Sequence, residues 1–470
     1  MPGHTGSRHS VPDIVYSDVQ NIEQSVERTR GGPMLTRRRI LQGTTVLPGA
    51  LAACARQAAS PPQGGQQGAS RPPVKIVWLL YQSRPPRMDL QVALAEDFNR
   101  QHPHIQIEPI APDIALVEKA TVFQAAGNPV DFFEWPRLWR EVEELIIDQA
   151  PFFKRDKIDL KNLFLETAIA PFLQGDHIWG HPISISVDAV AYNIDMFDAV
   201  GLKYPPVNPE DKSWTMETFQ EYAIKLTDRS KNQYGWGGGF SGGHNWMVAG
   251  NFFGTCPWDP NTKRSHFNSP QYRQAVQYWA DLRNKHRVNP TSQEAQALTG
   301  GQNINIFATG KIGMQVVFNI ADKVPARWGL ATLPYSGAGR NISGRISVHA
   351  LFLGRGKNPD AAWEVFKWFT KPENAGRYVI SDGHAVSPIK GGSDLVQKDF
   401  MDRMGVDARA YLLQAQTTPE NGCFFYLNKQ WPDFDREIGP KWNETMAGNL
   451  APAEFAAQAY DAAKRILGHS

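Results

Sequence analysis

Apolar residues near the start of the folded region alternate between strand spacing and helix spacing. VKIVWLLY (74–81) has the apolar run of a buried strand, MDLQVALAEDFNRQHP (88–103) repeats its apolar residues at helical spacing, and IQIEPI (105–110) is a second strand. The order strand, helix, strand predicts two parallel strands, because the helix returns the chain to the edge of the sheet from which it started.

The same two patterns continue to the end of the sequence. Thr215 precedes one helical segment as a candidate N-cap. The mixture predicts an α/β fold with helices on both faces of a sheet. Further strands are predicted at 130–135, 179–193, 311–319 and 346–354, and further helices at 137–148, 214–227, 269–284, 358–380 and 452–467.

A glycine-rich stretch, YGWGGGFSGGHNW (234–246), contains both G-x-G-x-x-G and G-x-S-x-G. A dinucleotide site or a serine nucleophile requires a strand of full length before the turn, and none is predicted there. The acidic residue about 20 positions on, Asp259, lies in the turn-like PWDP. We therefore predict a flexible turn between a short strand (233–236) and a helix beginning near His244, and no catalytic function.

The N-terminal region has the order of an export signal. A basic cluster (Arg37–Arg39) precedes a mildly apolar stretch and the sequence LAAC (51–54), which resembles a bacterial lipobox. We predict that residues 1–53 are a leader and twin-arginine-like lipoprotein signal, that translation starts at either Met1 or Met34, and that Cys54 is lipidated. Residues 54–73, rich in Ala, Gln, Gly, Pro and Ser, predict a flexible tether.

Composition narrows the function classes. The chain has 470 residues and a formal charge of +2, so two lobes or domains are expected and nucleic acid is not. Its 14 Trp are typical of proteins that use aromatic faces for binding. Cys256 and Cys423 are either a disulfide or two separate buried thiols. The spacing of Cys and His predicts no metal site and no cofactor.

Several segments in order resemble the extracellular solute-binding proteins (family 1) of ABC importers, a family that includes the maltose-binding and glycerol-phosphate-binding proteins. The resemblance covers nearly the whole chain after the signal. The segments that carry it are VKIVWLL (74–80), LAEDFNRQHPHIQIE (94–108), GDHIWGHPISISVDAVAYNIDMFDAVGL (175–202), WTMETFQEYAIKLT (214–227), FATGKIGMQVVFN (307–319) and GKNPDAAWEVFKWFTKPENAGRYVISDGHAVSP (356–388).

This resemblance implies a periplasmic-binding-protein-like fold, with two α/β lobes joined by a hinge and a ligand cleft between them. Lobe 1 is expected to comprise residues 74–185 and 345–387, and lobe 2 residues 186–344 and 388–470. The first crossing between the lobes is expected at about Ser186.

The implied function is that of a lipid-anchored substrate-binding component, a monomer and not an enzyme. It would capture a mono- or oligosaccharide by lobe closure and deliver it to the membrane permease subunits of an ABC importer. The protein would lie at the outer face of the cytoplasmic membrane or in the periplasm. Glycerol phosphate or another polar ligand is the alternative, and an exported hydrolase is the less favoured one.

Sugar chemistry ranks the candidate contacts. A pyranose presents an apolar C–H face to aromatic rings and a rim of hydroxyls to planar polar groups, and cleft residues come from the carboxyl ends of strands. The residues that meet these criteria are Trp78, Tyr81, Gln82, Glu134, Trp135, Ser186, Asp188, Trp236, Trp246, Phe318, Asn319, Arg345 and Trp431.

Overall fold

A computed structural model describes most of the chain after the predicted signal. The described residues are 72–81, 85–136, 139–240, 245–259, 264–302, 304–317, 324–335, 346–382, 386–416 and 430–468. The predicted signal, Cys54 and most of the predicted tether lie outside them. Among the helices of the described ranges, none has the length and apolar character needed to cross a membrane.

Thirteen strands occur in the described ranges. They are β1 (Val74–Leu79), β2 (Ile105–Ile110), β3 (Phe132–Trp135), β4 (Leu173–Gln174), β5 (His177–Ile178), β6 (His181–Val187), β7 (Ala189–Asn193), β8 (Tyr234–Phe240), β9 (Trp258–Asp259), β10 (Arg264–Ser265), β11 (Ile312–Val317), β12 (Trp328–Ala331) and β13 (Ile346–Leu353).

The α-helices of the same ranges are named in chain order. They are α1 (Pro85–Gln101), α2 (Leu116–Ala125), α3 (Ala150–Arg155), α4 (Leu160–Leu163), α5 (Glu166–Ile169), α6 (Ile194–Val200), α7 (Met216–Lys225), α8 (Asn245–Asn251), α9 (Pro270–Asn284), α10 (Ser292–Thr299), α11 (Pro359–Phe369), α12 (Pro372–Asp382), α13 (Ser393–Met404), α14 (Arg409–Ala415), α15 (Trp431–Met446) and α16 (Pro452–Ile466).

Sheet 1 has five strands in the order β2-β1-β3-β13-β6. β1 pairs in parallel with both β2 and β3, whereas β13 is antiparallel to both β3 and β6. The β-α-β prediction for the start of the folded region is therefore confirmed.

Sheet 2 has four strands in the order β12-β7-β11-β8. β8 and β11 are parallel, and β7 is antiparallel to both β11 and β12. The chain passes from one sheet to the other at Asp188, because β6 belongs to sheet 1 and β7 to sheet 2. The predicted single strand at 179–193 is thus two strands in different sheets.

Apolar packing follows the two sheets. One cluster of buried residues joins sheet 1 to α1 and α11, and a second joins sheet 2 to α7, α9, α15 and α16. A third cluster contains buried residues of both sheets and of α2. Helices thus cover both faces of sheet 1, which confirms the predicted α/β class with two lobes.

Local predictions had mixed outcomes. Thr215 caps α7, where its hydroxyl accepts a hydrogen bond from the Thr218 amide at 3.2 Å. The helix predicted at 137–148 is wrong, because the described part of this segment, residues 139–148, contains two short 3₁₀ turns, Trp139–Glu141 and Glu143–Leu145, and no α-helix. Just after these turns the chain contacts sheet 1, where the Ile147 amide donates a hydrogen bond to the Leu353 carbonyl at 3.0 Å.

The glycine-rich stretch also differs from the prediction. Residues 234–240 form strand β8 rather than a short strand followed by a turn, and α8 begins at Asn245, close to the predicted His244. A Cβ added to Gly235 would lie 1.8 Å from the Ala223 carbonyl oxygen, so α7 packs directly on the strand backbone. Close packing, not loop flexibility, requires glycine at this position.

Candidate functional site

Two of the predicted contacts lie together at one edge of sheet 1. Tyr81 follows β1, and Trp135 is the last residue of β3. Because β1 and β3 are parallel, their carboxyl ends meet at the same edge of the sheet. The antiparallel strand β13 brings His349 to this edge, since the neighbouring residue Ala350 pairs with Trp135.

These three rings form an aromatic rim, the name used below for Tyr81, Trp135 and His349. The Tyr81 ring lies 6.3 Å from the Trp135 ring at an interplanar angle of 89°, and 5.9 Å from the His349 ring at 84°. Tyr81 and Trp135 are partly exposed, whereas His349 is buried. Edge-to-face packing holds the rings in place while water still reaches two of them.

A buried carboxylate lies behind the rim. Glu134 is fully buried, and its Oε1 accepts a hydrogen bond from Nδ1 of His349 at 2.7 Å. Its Oε2 accepts from Nε2 of Gln91 at 2.9 Å and from the Tyr378 hydroxyl. Three donors thus share one carboxylate, which offsets its desolvation and fixes the orientation of the His349 ring.

The crossing between the sheets contributes two more predicted residues. Ser186 pairs with Ser347 within sheet 1, and Asp188 is fully buried where the chain changes sheet. The Tyr411 hydroxyl is fully buried in the same region. Burial raises its pKa well above the ordinary value, and the negative charge of Asp188 adds to the effect. Ser186 therefore lies within sheet 1, and Asp188 lies where the chain passes from β6 of sheet 1 to β7 of sheet 2.

Two predicted tryptophans lie in the apolar cores. The Trp78 ring stacks on Phe132 at 5.2 Å and is fully buried in the cluster beneath sheet 1. The Trp236 ring packs 4.9 Å from the Trp279 ring in the cluster that joins sheet 2 to its helices. Rings covered by protein side chains leave no face for a sugar. This packing argues against the predicted ligand contacts, and we assign both residues to the core.

The rings of Trp246 and Trp431 pack against each other at 5.2 Å in the same cluster. Both are buried, and Nε1 of Trp246 donates to Asp435 at 2.9 Å. Phe434 packs edge-on against Trp246 and tilted against Trp431. The pair joins α8 to α15, which argues against the predicted ligand contacts and for a structural role.

Four predicted contacts, Gln82, Phe318, Asn319 and Arg345, lie outside the described residues. The structure adds Gln91, His349 and Tyr378, which sequence reasoning missed. His349 did leave a signal, because it is the one titratable residue within the apolar strand ISVHALFLG (346–354). Gln91 and Tyr378 lie on ordinary amphipathic helices, where nothing in the pattern distinguishes them.

The described residues bear on two of the predictions, metal binding and the state of the cysteines. Among the described residues, no group of three or more His, Cys, Asp or Glu could hold a metal ion. Cys256 is disulfide-bonded. Cys54 and Cys423 lie outside the described residues.

Several known proteins are similar to this chain in sequence or in architecture. A protein of Brucella abortus (strain 2308) named as a binding protein is 22% identical over 303 residues, which cover 61% of this chain and 69% of that protein. An ABC substrate-binding protein from Listeria monocytogenes, solved with cycloalternan, superposes with a TM-score of 0.67 at 18% identity, covering 85% of this chain and 100% of the other.

A second solved structure, the cyclic α-maltosyl-1,6-maltose binding protein from Arthrobacter globiformis, superposes with a TM-score of 0.68 at 16% identity, covering 85% of this chain and 100% of the other. These similarities show a shared two-lobe fold. A sequence profile for bacterial extracellular solute-binding proteins matches residues 89–376, more than half of the chain. With the order of its strands and the profile in agreement, the chain belongs to the bacterial extracellular solute-binding protein family.

Proposed function

We propose that this protein is the lipid-anchored substrate-binding component of an ABC importer, and that it captures a mono- or oligosaccharide. The observation that carries the proposal is the aromatic rim at the carboxyl edge of sheet 1, backed by the hydrogen-bonded Glu134. One similar protein was solved in complex with cycloalternan and the other is named as a cyclic α-maltosyl-1,6-maltose binding protein, which supports a saccharide as the ligand.

The rim has the properties that a sugar requires. Partly exposed rings such as Tyr81 and Trp135 can pack against the C–H face of a pyranose, and polar atoms around them can pair with its hydroxyls. The rings are nearly perpendicular, so each faces a different direction. A ligand held by the rim and by lobe 2 at the same time would stabilise the closed form of the two lobes.

Charge favours a neutral ligand over a phosphate ester. The carboxylate of Glu134 lies directly behind the rim, where it would repel a phosphate group. A sugar hydroxyl, by contrast, is compatible with a neighbouring carboxylate because it can donate a hydrogen bond to it. We therefore favour a neutral sugar over glycerol phosphate as the ligand.

The first prediction concerns ligand-dependent stability. Maltose, maltotriose, mannobiose, tagatose and sn-glycerol 3-phosphate are added separately to the protein lacking residues 1–53, and the melting temperature is recorded. At least one neutral sugar is expected to raise it, because a ligand that binds only the folded state stabilises that state. The sugar is expected to be recovered unchanged. Chemical conversion of any of these compounds would contradict the assignment as a binding protein. A rise in melting temperature with sn-glycerol 3-phosphate alone would contradict the proposal that the ligand is a sugar.

A matched pair of variants ties this response to the rim. Tyr81→Ala is expected to weaken binding of the responding sugar about tenfold or more, through the loss of stacking and of the contact that holds Trp135. Tyr204→Ala removes a more exposed tyrosine from a surface remote in sequence from the rim and is expected to leave the affinity unchanged. If the two substitutions weakened the affinity equally, the rim would not be part of the binding site.

The second prediction concerns the anchor. Cys54→Ala is expected to move the protein from the membrane fraction to the soluble fraction of the producing cells, because a lipobox-like sequence needs its cysteine for lipid attachment. Ser60→Ala, a substitution in the predicted tether, serves as the control and is expected to remain with the membrane. Retention of the Cys54→Ala protein in the membrane fraction would refute lipidation at that position.

A further inference from the structure

Strand β8 leaves its ladder with β11 at three consecutive glycines. Met314 pairs with Trp236 and Val316 pairs with Phe240, so two steps along β11 correspond to four along β8. Gly237–Gly239, named here the glycine bulge, lie between these two paired positions, where the register shifts. Gly238 has a φ of +83°, in the left-handed region that favours glycine.

Two buried amide side chains face the bulge from neighbouring elements. A Cβ added to Gly237 would lie 1.7 Å from Oε1 of Gln315, and one added to Gly238 would lie 2.6 Å from Nδ2 of Asn289. Asn289 is 3% exposed and Gln315 is 5% exposed. Any other residue type at Gly237 or Gly238 would occupy the space that these amides use.

The two amides are only partly hydrogen-bonded. Gln315 donates through Nε2 to the Gly239 carbonyl at 2.7 Å, but its Oε1 has no partner. Neither Nδ2 nor Oδ1 of Asn289 has a partner. Buried polar atoms without partners are rare in proteins because each has lost its hydrogen bonds to water. Here such donors and acceptors converge on one irregular stretch of backbone.

We propose that the glycine bulge, Asn289 and Gln315 form a hydroxyl-binding subsite in lobe 2. A sugar hydroxyl would accept a hydrogen bond from Nδ2 of Asn289 and donate one to an amide oxygen of Asn289 or Gln315. The inference rests on the proposed sugar-binding function and adds to it the residues with which the second lobe holds the ligand.

The chemistry of the subsite selects a neutral hydroxyl. The unpartnered atoms are carboxamide oxygens and a carboxamide nitrogen, so the subsite offers both acceptors and a donor and carries no charge. A hydroxyl uses both roles at once, whereas a carboxylate or phosphate can only accept. The glycines themselves are partly exposed, so a ligand would approach the amides from the side of the bulge.

The test compares affinity with stability in the same variants. Titration calorimetry uses whichever of maltose, maltotriose, mannobiose or tagatose raises the melting temperature most. Asn289→Leu and Gln315→Met are both expected to weaken binding about tenfold or more, since each removes a hydrogen bond made in a buried site. Asn289→Leu should leave the melting temperature of the free protein unchanged or higher, because the atoms it removes have no partner. Asn284→Ala, a solvent-exposed asparagine at the end of α9, is the matched control.

Each outcome decides between the proposals. Wild-type affinity in both variants would overturn the subsite while leaving the sugar-binding function intact, and the amides would then enclose ordered water only. Weaker binding in the variants but not in Asn284→Ala supports the subsite. If none of the four sugars binds to the wild-type protein, the sugar-binding function fails and the subsite fails with it.

Discussion

Replacing Glu134 with alanine is expected to lower the free energy of unfolding by about 4 kcal/mol, the effect typical of breaking a buried charged network. Gln91, Tyr378 and His349 all donate to this carboxylate, and all of them are buried. Without it, these buried side chains would lose their hydrogen bonds to the carboxylate, and losing a hydrogen bond in a buried site is costly. Urea denaturation measures the change.

Conservative variants distinguish the contribution of the hydrogen bonds to stability from that of side-chain packing. Glu134→Gln keeps the shape but presents one acceptor oxygen instead of two, so we expect a loss of about 2 kcal/mol. Tyr378→Phe removes one donor, and its effect should not add to that of Glu134→Ala, because the two residues share a hydrogen bond. A fully additive double-mutant cycle would contradict the coupling between them.

The control is a carboxylate of the same type on the surface. Glu108 pairs with Lys75 at 2.9 Å, and its side chain is 44% exposed. Glu108→Ala is expected to change the free energy of unfolding by about 0.5 kcal/mol or less, because exposed ion pairs contribute little. If Glu134→Ala costs no more than this control, the three donors do not depend on the carboxylate as the structure indicates.

The elements that could be predicted from the sequence are those whose cause is local. The apolar spacing of 88–103 and the capping residue Thr215 act within one or two helical turns, and helices α1 and α7 form where the pattern predicts them. The strand pattern of 105–110 matches β2 residue for residue. No distant partner is needed to recognise such signals.

The glycine stretch shows why other predictions failed. Six glycines in nine residues (235–243) are typical of a turn, yet Gly235 and Gly237 lie in a strand because α7 and Gln315 of β11 approach the backbone there. Those partners lie elsewhere in the sequence, so the local pattern cannot reveal them. The apolar pattern does not reveal the change of sheet at Asp188 either, since both flanking strands are fully buried; only the family resemblance predicted a crossing, at about Ser186.

The candidate site could be predicted in part. Tyr81, Glu134 and Trp135 follow from the rule that cleft residues lie at the carboxyl ends of parallel strands. Gln91 and Tyr378 do not, because they are 287 residues apart and meet only in the folded chain. The core tryptophans illustrate the converse: their residue type suits sugar stacking, and only the packing around Trp78 and Trp236 shows that they are enclosed.

Replacing His181 with leucine is expected to make the protein more resistant to acid. His181 is fully buried among aromatic rings, including Phe153, Phe164 and Trp363, and neither ring nitrogen has a hydrogen-bond partner. Burial lowers the pKa of His181 to about 3 from its ordinary value of 6.5. The folded protein therefore keeps this ring neutral at pH values where the unfolded chain protonates it.

The direction of the pH effect follows from which state binds the proton. Between pH 6.5 and about 3 the unfolded chain binds a proton at His181 and the folded protein does not, so stability is lost as the pH falls through this window. Near pH 5 the loss from this residue alone is about 2 kcal/mol relative to neutral pH. The leucine variant lacks the titrating group and should not show this part of the loss.

The measurement is urea denaturation of the wild-type and variant proteins near pH 7.5 and near pH 5. We expect His181→Leu to be as stable as the wild type or more stable at the higher pH, because two unpartnered nitrogens leave an apolar site. Its advantage should grow by about 2 kcal/mol at the lower pH. Phe153→Leu alters the same cluster without removing a titrating group, so its effect should be equal at both pH values. A His181→Leu effect that is independent of pH would show that this histidine titrates alike in the folded and unfolded states, contrary to its enclosure in the structure.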